Sequence, residues 1–256
     1  MEEAAYRAMA QAEEKGWYYL ARQQAVQRLF QRFAPSRSLR ILDLGCGTAG
    51  STQAWRAFGE VLGAEPSPLA RKLAADRFPS QKILPCGWEG LSAAELGTFD
   101  VIVVLCVLYH KEVAQPLEAL RKIASLQQEG GLLIWNEPAY AYLWRQHDRQ
   151  TAAGRRFHPQ EMQALLEASG YELIFRSHLL AWAYPIALVL AAMDRWRWGS
   201  DRGTTSAAEG SDHKPVHPWL NAFFKGLTRI EWSLNFYRLG LPFGLSCLMV
   251  ARKKCI

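Results

Sequence analysis

Short apolar segments alternate with amphipathic ones between residues 36 and 178, and this alternation constrains the fold more than any other feature. The segments LRILDL, EVLGAE, KILPCG, FDVIVVLCVL and LLIWNE are separated by stretches with helical spacing. A strand that is apolar along its whole length is typical of a parallel sheet covered by helices on both faces. We therefore predict an α/β domain with a doubly wound, Rossmann-like sheet over 36–178.

The rest of the chain divides into three further parts. Residues 1–35 repeat apolar side chains at helical spacing and are predicted to be N-terminal helices. Residues 179–238 contain an uncharged segment, a polar stretch at 199–215 and another predicted helix, and are interpreted as a helical insertion. Residues 239–256 are predicted to hold a last strand that completes the sheet.

The uncharged segment at 179–193 raises the question of membrane contact. It is shorter than the roughly 20 residues that a membrane-spanning helix needs, and Pro185 interrupts it. The following RWRW sequence at 195–198 favours a membrane interface, and the net charge of +6 favours anionic partners. We expect either a lid over the site or a peripheral contact with an anionic membrane.

A glycine-rich turn, in the sequence ILDLGCGTAG, follows the first predicted strand. Gly45, Gly47 and Gly50 form a G-x-G-x-x-G, the pattern of a dinucleotide site in which a pyrophosphate rests on a helix N-terminus. The carboxylate of Asp43 would repel that pyrophosphate, whereas it would attract a ligand with an ammonium and a sulfonium group. Glu65, at the end of the second strand, can hold ribose hydroxyls with either cofactor.

Including Asp43, the turn resembles the first motif, D-x-G-x-G-x-G, of the class I S-adenosylmethionine-dependent methyltransferases, with Ala49 in place of the third glycine. Glu65 resembles the ribose-binding acid of their second motif. FDVIVVLCVLYH is similar to their fourth strand, and EGGLLIWNEP to the turn into the fifth. The segments EKGWYYLARQQ, NEPAYAYLWRQHD, GRRFHPQEMQALLEASGYE and LPFGLSCLMVARK resemble one bacterial branch of this family, whose members read W-W-F-x-x-R near the start.

This resemblance implies a seven-stranded methyltransferase sheet and S-adenosyl-L-methionine as the cofactor. Trp88 can stack on the adenine or pack as an ordinary core residue. Four features depart from the branch. Cys106 and Tyr109 stand where acids are common, no histidine precedes the paired arginines in AAGRRF, and the third strand ends in PCGW rather than in an acid. The expected cofactor-binding residues are Asp43, Gly45, Cys46, Gly47, Glu65, Pro66, Gly87, Trp88 and Cys106.

Candidate catalytic residues follow the fourth and fifth strands. His110 titrates near neutral pH and can take a proton from a hydroxyl, although it can equally cap a helix. His147 and Asp148 can form a base and the group that orients it.

Candidate substrate-binding residues are Tyr109, Tyr140, Arg155 and Arg156. The two arginines can grip a phosphate or carboxylate, or form salt bridges in a solvated loop.

Three functions stay open at this point. The first is methyl transfer to a small, hydrophobic or lipid-linked acceptor. The second is a nucleic-acid methyltransferase, but CVLYH replaces the D/N-P-P-Y/F clamp used on base amines, so we do not expect a nucleic-acid partner. The third is a protein that binds the cofactor without catalysis, as a scaffold.

The five cysteines, at positions 46, 86, 106, 247 and 255, show neither a C-x-x-C motif nor metal-ligand spacing. They are typical of reduced thiols in the cytoplasm, and we expect no bound metal. The first residues are acidic and lack the apolar segment of a secretory signal. We therefore expect a cytoplasmic protein, with any membrane contact at the inner face.

Overall fold

The structure is a computed structural model that describes residues 3–145, 148–149, 151–198, 217–236 and 240–255. Within these residues the strands form one seven-stranded sheet. The strands are β1 (Leu39–Leu44), β2 (Gly59–Ala64), β3 (Ile83–Leu84), β4 (Phe99–Leu105), β5 (Gln127–Pro138), β6 (Tyr171–Leu179) and β7 (Ser246–Lys253).

Helices precede the sheet, connect its strands and precede its last strand. They are α1 (Glu3–Lys15), α2 (Trp17–Phe33), α3 (Gly50–Trp55), α4 (Pro68–Arg77), α5 (Ala93–Leu96), α6 (Pro116–Ser125), α7 (Pro159–Ala168), α8 (Tyr184–Trp198) and α9 (Pro218–Phe236). Short 3-10 turns lie at Trp88–Gly90 and Ala141–Leu143.

The strand order is β3-β2-β1-β4-β5-β7-β6, with β7 antiparallel to both of its neighbours. The chain winds outward from β1 to β3 and then crosses back to β4 on the other side of β1. Parallel α/β sheets bind ligands at such a reversal, outside the carboxyl ends of the strands. The predicted doubly wound, seven-stranded sheet is confirmed.

Successive residues of the buried strand β4 point into two different cores. Ile102 and Val104 pack in a cluster with Ile123 of α6, whereas Val101 and Val103 pack in a second cluster with residues of α2. The period-two alternation of a strand sends neighbouring side chains to opposite faces. Helices therefore cover both faces of the sheet, which explains why β4 is apolar throughout.

The uncharged segment at 179–193 is divided between two elements. Leu179 ends β6, and α8 begins at Tyr184. Ile186 and Val189 of α8 are more than half exposed, and Trp196 is 87% exposed. No helix in the described ranges is both long enough and apolar enough to cross a membrane. The polar stretch at 199–215 lies outside the described residues.

Candidate functional site

A cavity of about 1000 Å3 opens at the carboxyl ends of β1, β2 and β4. Its walls come from the glycine turn after β1, the end of β2, the 3-10 turn at Trp88–Gly90 and the loop after β4. The helices α1 and α2 close it from the N-terminal side. The cavity therefore lies where the strand order reverses.

The glycine turn takes a left-handed backbone at several positions. Gly45 has φ 69° and Gly47 has φ 56°, and Ala49, which precedes α3, has φ 62°. A Cβ atom at Gly45 would lie 2.5 Å from a methyl group of Val107 in the loop after β4. Glycine at this position thus lets the turn approach the neighbouring loop closely. Cys46 lies between the two glycines and is buried in the cavity wall.

Asp43 is a buried carboxylate that joins β1 to α3. Its Oδ2 accepts hydrogen bonds from Thr52 Oγ1 at 2.7 Å and from Trp55 Nε1 at 3.1 Å. Burial raises the pKa of Asp43 to about 6, although these two hydrogen bonds act to lower it. Because Asp43 also lines the cavity, the same side chain serves the fold and offers negative charge to a ligand.

Glu65 joins the ends of β1 and β2. Its Oε2 accepts the backbone N–H of Gly47 at 3.0 Å, and its Oε1 accepts that of Ser67 at 2.9 Å. Burial raises the pKa of Glu65. Pro66 follows it in the cavity wall. This carboxylate is held beside the glycine turn, and its remaining lone pairs can accept hydrogen bonds from hydroxyl groups.

Gly87 and Trp88 form the wall beyond β3. The Nε1 of Trp88 is buried and has no hydrogen-bond partner within the described part of the chain. A buried indole N–H without an acceptor is uncommon in folded proteins. Trp88 therefore offers an aromatic ring and a donor in the part of the cavity nearest β3.

Glu137 organises the loop after β4, and the sequence analysis did not single it out. Its Oε1 accepts hydrogen bonds from the backbone N–H of Leu108 at 2.8 Å and from the indole Nε1 of Trp135 at 2.9 Å. Its Oε2 accepts the backbone N–H of Tyr109 at 3.3 Å. Burial raises the pKa of Glu137 to about 7. Cys106 begins this loop with φ 58°, a conformation that is rare outside glycine and common at functional sites.

Glu13 fixes helix α1 over the glycine turn, and it too was missed from the sequence. Its Oε2 accepts Thr48 Oγ1 at 2.5 Å, the backbone N–H of Gly50 at 3.0 Å and Arg77 Nη1 at 2.8 Å. Glu13 is 5% exposed. The first turn of α3 is therefore capped by a carboxylate from a distant part of the chain.

Arg22 of α2 is a third cavity residue that sequence reasoning did not assign. Its guanidinium lies 5.4 Å from the ring centre of Tyr18 and 5.3 Å from that of Tyr19. Its Nη1 donates to Cys106 Sγ at 3.4 Å, and its buried Nε has no hydrogen-bond partner among the described residues. The spacing from Trp17 to Arg22 is part of the family resemblance. It was the one feature of the sequence that could have pointed to Arg22 as a site residue.

Two of the candidate catalytic residues can be located. His110 lines the cavity and is partly buried, with Nδ1 3.7 Å from Glu112 Oε2. Burial lowers the pKa of His110, which favours the neutral ring that can accept a proton. His147 lies outside the described residues. Asp148 lies in the cavity wall, and its two carboxylate oxygens accept Nε of Arg156 at 2.8 Å and Nη2 at 3.1 Å.

The expected substrate-binding residues are not all at this cavity. Tyr109 and Arg156 line it. Arg156 forms a salt bridge with Asp148 in the same wall. Arg155 lies away from the cavity wall, 4.0 Å from Glu161. Tyr140 lies between β5 and β6, with its hydroxyl 3.0 Å from His178 Nε2, and lines a second cavity of about 550 Å3. The roles of all four residues stay predictions, and Arg155 and Tyr140 are not among the residues that line the main cavity.

No group of three or more His, Cys, Asp or Glu side chains in the described ranges could hold a metal ion.

Comparison with known proteins identifies a family. The model of a methyltransferase domain matches residues 18–175, which is more than half of the chain. Curated relatives include the tRNA U34 carboxymethyltransferases of Shewanella denitrificans and Actinobacillus succinogenes, each 32% identical over 119 residues. The matches cover 42% of this chain and 34% or 35% of the relative. The chain thus spans about a third of the length of the curated relatives it matches.

Solved structures share the fold at low identity. One is a chain of the complex between the Haloferax volcanii Trm112 methyltransferase activator and a methyltransferase, with a TM-score of 0.60, 16% identity and coverage of 99% and 96% of the two chains. Another is an S-adenosylmethionine-dependent methyltransferase from Archaeoglobus fulgidus, with a TM-score of 0.53, 13% identity and coverage of 90% and 94%.

These comparisons correct the partners expected from the sequence. The sequence analysis allowed a small-molecule acceptor and an anionic membrane surface, and it did not expect nucleic acid. Curated relatives are named for tRNA, and one structural neighbour was solved with a protein activator, so the expectation of no nucleic-acid partner is overturned. That clamp serves only one class of acceptor atom, so its absence does not exclude a nucleic acid.

The matched domain covers 158 residues, from 18 to 175, and includes nearly all of α2, the glycine turn and strands β1 to β5. The chain belongs to the methyltransferase-domain family and is a class I S-adenosylmethionine-dependent methyltransferase.

Proposed function

We propose that this chain transfers a methyl group from S-adenosylmethionine to a base of an RNA. The observation that carries the methyl-transfer part is the meeting of Asp43, Glu65 and the turn Gly45–Gly47 in one cavity at the reversal point of the sheet. The acceptor part is supported by the aromatic lining of that cavity and by the relatives named for tRNA.

The residues present fit this cofactor better than they fit a dinucleotide. Asp43 and Glu65 are buried carboxylates beside the glycine turn, which suit an ammonium, a sulfonium and ribose hydroxyls. A dinucleotide would place its pyrophosphate on the N-terminal N–H groups of α3. The carboxylate of Glu13 already accepts the N–H of Gly50 there, so a pyrophosphate would meet a negative charge.

The residues that would hold the cofactor follow from the walls of the cavity. Asp43 would face the positively charged end, Glu65 would accept the ribose hydroxyls and Trp88 would stack on the adenine. The remaining contacts would come from Gly45, Cys46, Gly47, Pro66, Gly87 and Cys106. When bound, S-adenosylmethionine supplies a methyl group on a sulfonium, an electrophile with a built-in leaving group.

The work left to the protein is to align the acceptor and exclude water. Helices α1 and α2 close the cavity, and the loop after β4, fixed by Glu137, forms the wall on which His110 lies. A neutral His110 can take a proton from an acceptor that is protonated before transfer. An acceptor with a free lone pair needs no such base, so His110 matters only for the first kind.

The acceptor is proposed to be a base because the cavity offers several flat aromatic surfaces. Aromatic residues line it, among them Tyr6, Trp17, Tyr18 and Tyr109. Enzymes that modify a base receive it unstacked, between aromatic or apolar side chains. The cavity is at the upper end of the 300–1,000 Å3 typical of ligand pockets, which leaves room beside a cofactor for part of an acceptor. The net charge of +6 favours a phosphate backbone outside.

The test is to incubate the purified protein with methyl-labelled S-adenosylmethionine and total cellular RNA, then digest the RNA to nucleosides and separate them. We expect label in a modified nucleoside. Label that appears only with an organic-soluble or small-molecule extract would overturn the RNA acceptor and leave methyl transfer intact. Cofactor binding without label in any fraction would overturn catalysis and favour a scaffold.

A matched pair of variants ties the label to the cavity. Glu65→Gln alters the buried carboxylate at the end of β2, and Glu60→Gln alters an exposed carboxylate of the same strand. We expect label transfer to fall about 10-fold or more in the first and to stay at the wild-type level in the second. Equal activity in both would contradict the assignment of this cavity.

A further inference from the structure

The second cavity, of about 550 Å3, lies beside the main one and takes no part in the proposed binding of the cofactor. Two short segments form the partition between the cavities, and the N–H of Ala139 in one donates to the carbonyl oxygen of Leu245 in the other at 3.0 Å. Pro138 and Leu245 line the main cavity, whereas Tyr140 and Pro242 line the second. The two cavities are therefore neighbours across a single layer of backbone.

Hydrogen bonds and ring contacts hold the walls of the second cavity in place. The Nδ1 of His178 donates to the carbonyl oxygen of Leu241 at 2.7 Å, and its Nε2 lies 3.0 Å from the hydroxyl of Tyr140. The rings of Tyr140 and His178 stack with their centres 5.6 Å apart and their planes at 8°. Gly240 lets its segment run close to β6, because a Cβ atom there would lie 1.8 Å from the carbonyl oxygen of Arg176. The cavity is thus formed before any ligand binds.

The lining of this cavity is basic. It includes Arg176, His158 and His178, and none of the described residues that line it is an aspartate or a glutamate. The exposed Arg176 donates to Gln163 Oε1 at 3.5 Å and has no carboxylate partner within the described ranges. Burial lowers the pKa of His178, and Arg176 and His158 also act to lower it, so the three basic groups are close enough to repel one another. An anion in the cavity would relieve that repulsion.

Helix α7 begins at the same cavity. His158 directly precedes this helix, and Pro159 and Gln160 of its first turn line the cavity. The N-terminus of a helix carries partial positive charge and backbone N–H groups without intrahelical partners. The acid in this turn, Glu161, lies outside the lining and is 4.0 Å from Arg155. A guanidinium, an imidazole and a helix N-terminus are groups that proteins use to bind phosphate.

We propose that the second cavity binds a phosphate group, which belongs to a nucleotide of the RNA next to the target base. Arg176 holds the phosphate oxygens through its guanidinium, and His158 and the first turn of α7 share the negative charge. Tyr140 adds a hydroxyl, and its φ of 62° is rare outside glycine and frequent at functional sites. This inference rests on the proposed function, because it takes RNA to be the source of the phosphate.

The position of the cavity favours RNA over a free phosphate ion as that source. Only the partition of Ala139 and Leu245 separates the two cavities there, so a strand whose target base enters the main cavity can place a neighbouring phosphate in the second. Contacts to the phosphate backbone fix the register of a nucleic acid without reading its sequence. Arg176 is therefore expected to contribute to the affinity for any single-stranded RNA.

The test measures the affinity of a short labelled single-stranded RNA by fluorescence anisotropy over a series of salt concentrations. We expect Arg176→Gln to weaken binding about 5- to 10-fold, because it loses a charge-assisted contact with a phosphate. The slope of log K against log salt should become shallower by about 0.7, the value for one phosphate of a single strand. Arg176→Lys keeps the charge without the planar fork, so its affinity should fall between the two while its slope stays at the wild-type value.

Arg252→Gln is the matched control, since it removes the same charge from an exposed arginine of the neighbouring strand β7. Arg252 lies opposite Glu172 near the start of β6 and lines neither cavity. We expect its RNA affinity to stay within about 2-fold of wild type and its slope to be unchanged. Equal losses in Arg176→Gln and Arg252→Gln would show that only the net charge matters and would overturn the site.

Calorimetric titration with inorganic phosphate distinguishes the two sources of the anion. We expect phosphate to compete with RNA only far above the concentration at which RNA binds. Phosphate binding that Arg176→Gln abolishes, with RNA binding unchanged in that variant, would overturn RNA as the source. Unchanged RNA binding in Arg176→Gln without any binding of phosphate would overturn the site itself. In both cases the wild type would still label RNA, whereas a wild type that neither binds nor labels RNA would contradict the proposed function.

Discussion

The carboxylate of Glu137 accepts the backbone N–H of Leu108 at 2.8 Å and so ties the end of β5 to the loop after β4. The two residues are 29 positions apart, and both are buried. The same carboxylate accepts the N–H of Tyr109 and the indole N–H of Trp135. One buried side chain therefore sets the backbone course of the loop that carries Cys106 and His110.

Glu137 predicts a pH dependence of stability. Its pKa is raised in the folded protein from 4.5 to about 7, so the folded state binds a proton where the unfolded chain does not. This proton contributes on the order of 3 kcal/mol to the free energy of unfolding. The contribution is complete below pH 4.5 and is lost as the pH rises through about 7. The variant Glu137→Gln cannot titrate at this position.

We expect the unfolding free energy of the wild type to fall relative to that of the variant between pH 5 and 8, as measured by urea denaturation. A difference that stays constant over this range would contradict the prediction.

Asp43 predicts a pH dependence of cofactor affinity. Its pKa is raised by burial to about 6, so the carboxylate is half protonated near pH 6 and ionised above it. Attraction for the ammonium and sulfonium should therefore strengthen as the pH rises from 5 to 7. Asp43→Asn should bind more weakly and with little change over that range. Titration calorimetry at three pH values checks this, and equally steep profiles for the two proteins would show that another group titrates.

Glu65 predicts selectivity for the ribose. Its two oxygens accept N–H groups from Gly47 and Ser67 at 3.0 and 2.9 Å, which fixes the carboxylate at the end of β2. Replacing Glu65 by Gln removes the charge and turns one acceptor into a donor, so we expect about 10-fold weaker binding of S-adenosylhomocysteine and of 5′-methylthioadenosine alike. The loss should be smaller for a 2′-deoxy ligand, because such a ligand lacks the hydroxyl. A loss that is independent of the ribose hydroxyls would count against this role.

The contacts of Glu13 lead to a prediction about what holds α1 against the glycine turn and α3. Its carboxylate is buried and accepts from Thr48, Gly50 and Arg77, and removal of one partner of a buried ion pair commonly costs about 3–5 kcal/mol. In Glu13→Gln we expect faster hydrogen exchange in α1 and in the first turn of α3, with the strands of the sheet still protected. Glu14→Gln is the control, since Glu14 is largely exposed and reaches Arg77 only at 3.5 Å. Equal exchange in the two variants would show that α1 is held by its apolar face.

The fold could be predicted from the sequence because its strands are apolar on both faces. The run FDVIVVL became β4, which is buried at every residue, and the strand, turn and helix around Asp43 are local features of a short segment. The predicted helix near 218–238 corresponds to α9 (Pro218–Phe236). In each case residues close in sequence determine the structure, through the spacing of apolar side chains or the conformational preferences of turn residues.

The rest of the site depends on contacts between distant residues. Glu13 and Arg22 lie in segments that read as ordinary amphipathic helices, and their partners Thr48 and Cys106 are 35 and 84 positions away. Tyr140 and Arg155 follow the same predicted strand ends as the cavity residues, but Tyr140 lines the second cavity and Arg155 is not part of the lining of the main one. Spacing along the chain cannot show which side of a loop a residue occupies.

The most direct test of the central claim is a calorimetric competition between S-adenosylmethionine and NAD for the purified protein. The account predicts that S-adenosylmethionine binds, that Asp43→Asn weakens it, and that NAD in excess neither binds nor displaces it, because Asp43 and Glu13 oppose a pyrophosphate at the start of α3. Tight binding of NAD, or no binding of S-adenosylmethionine, would contradict the account.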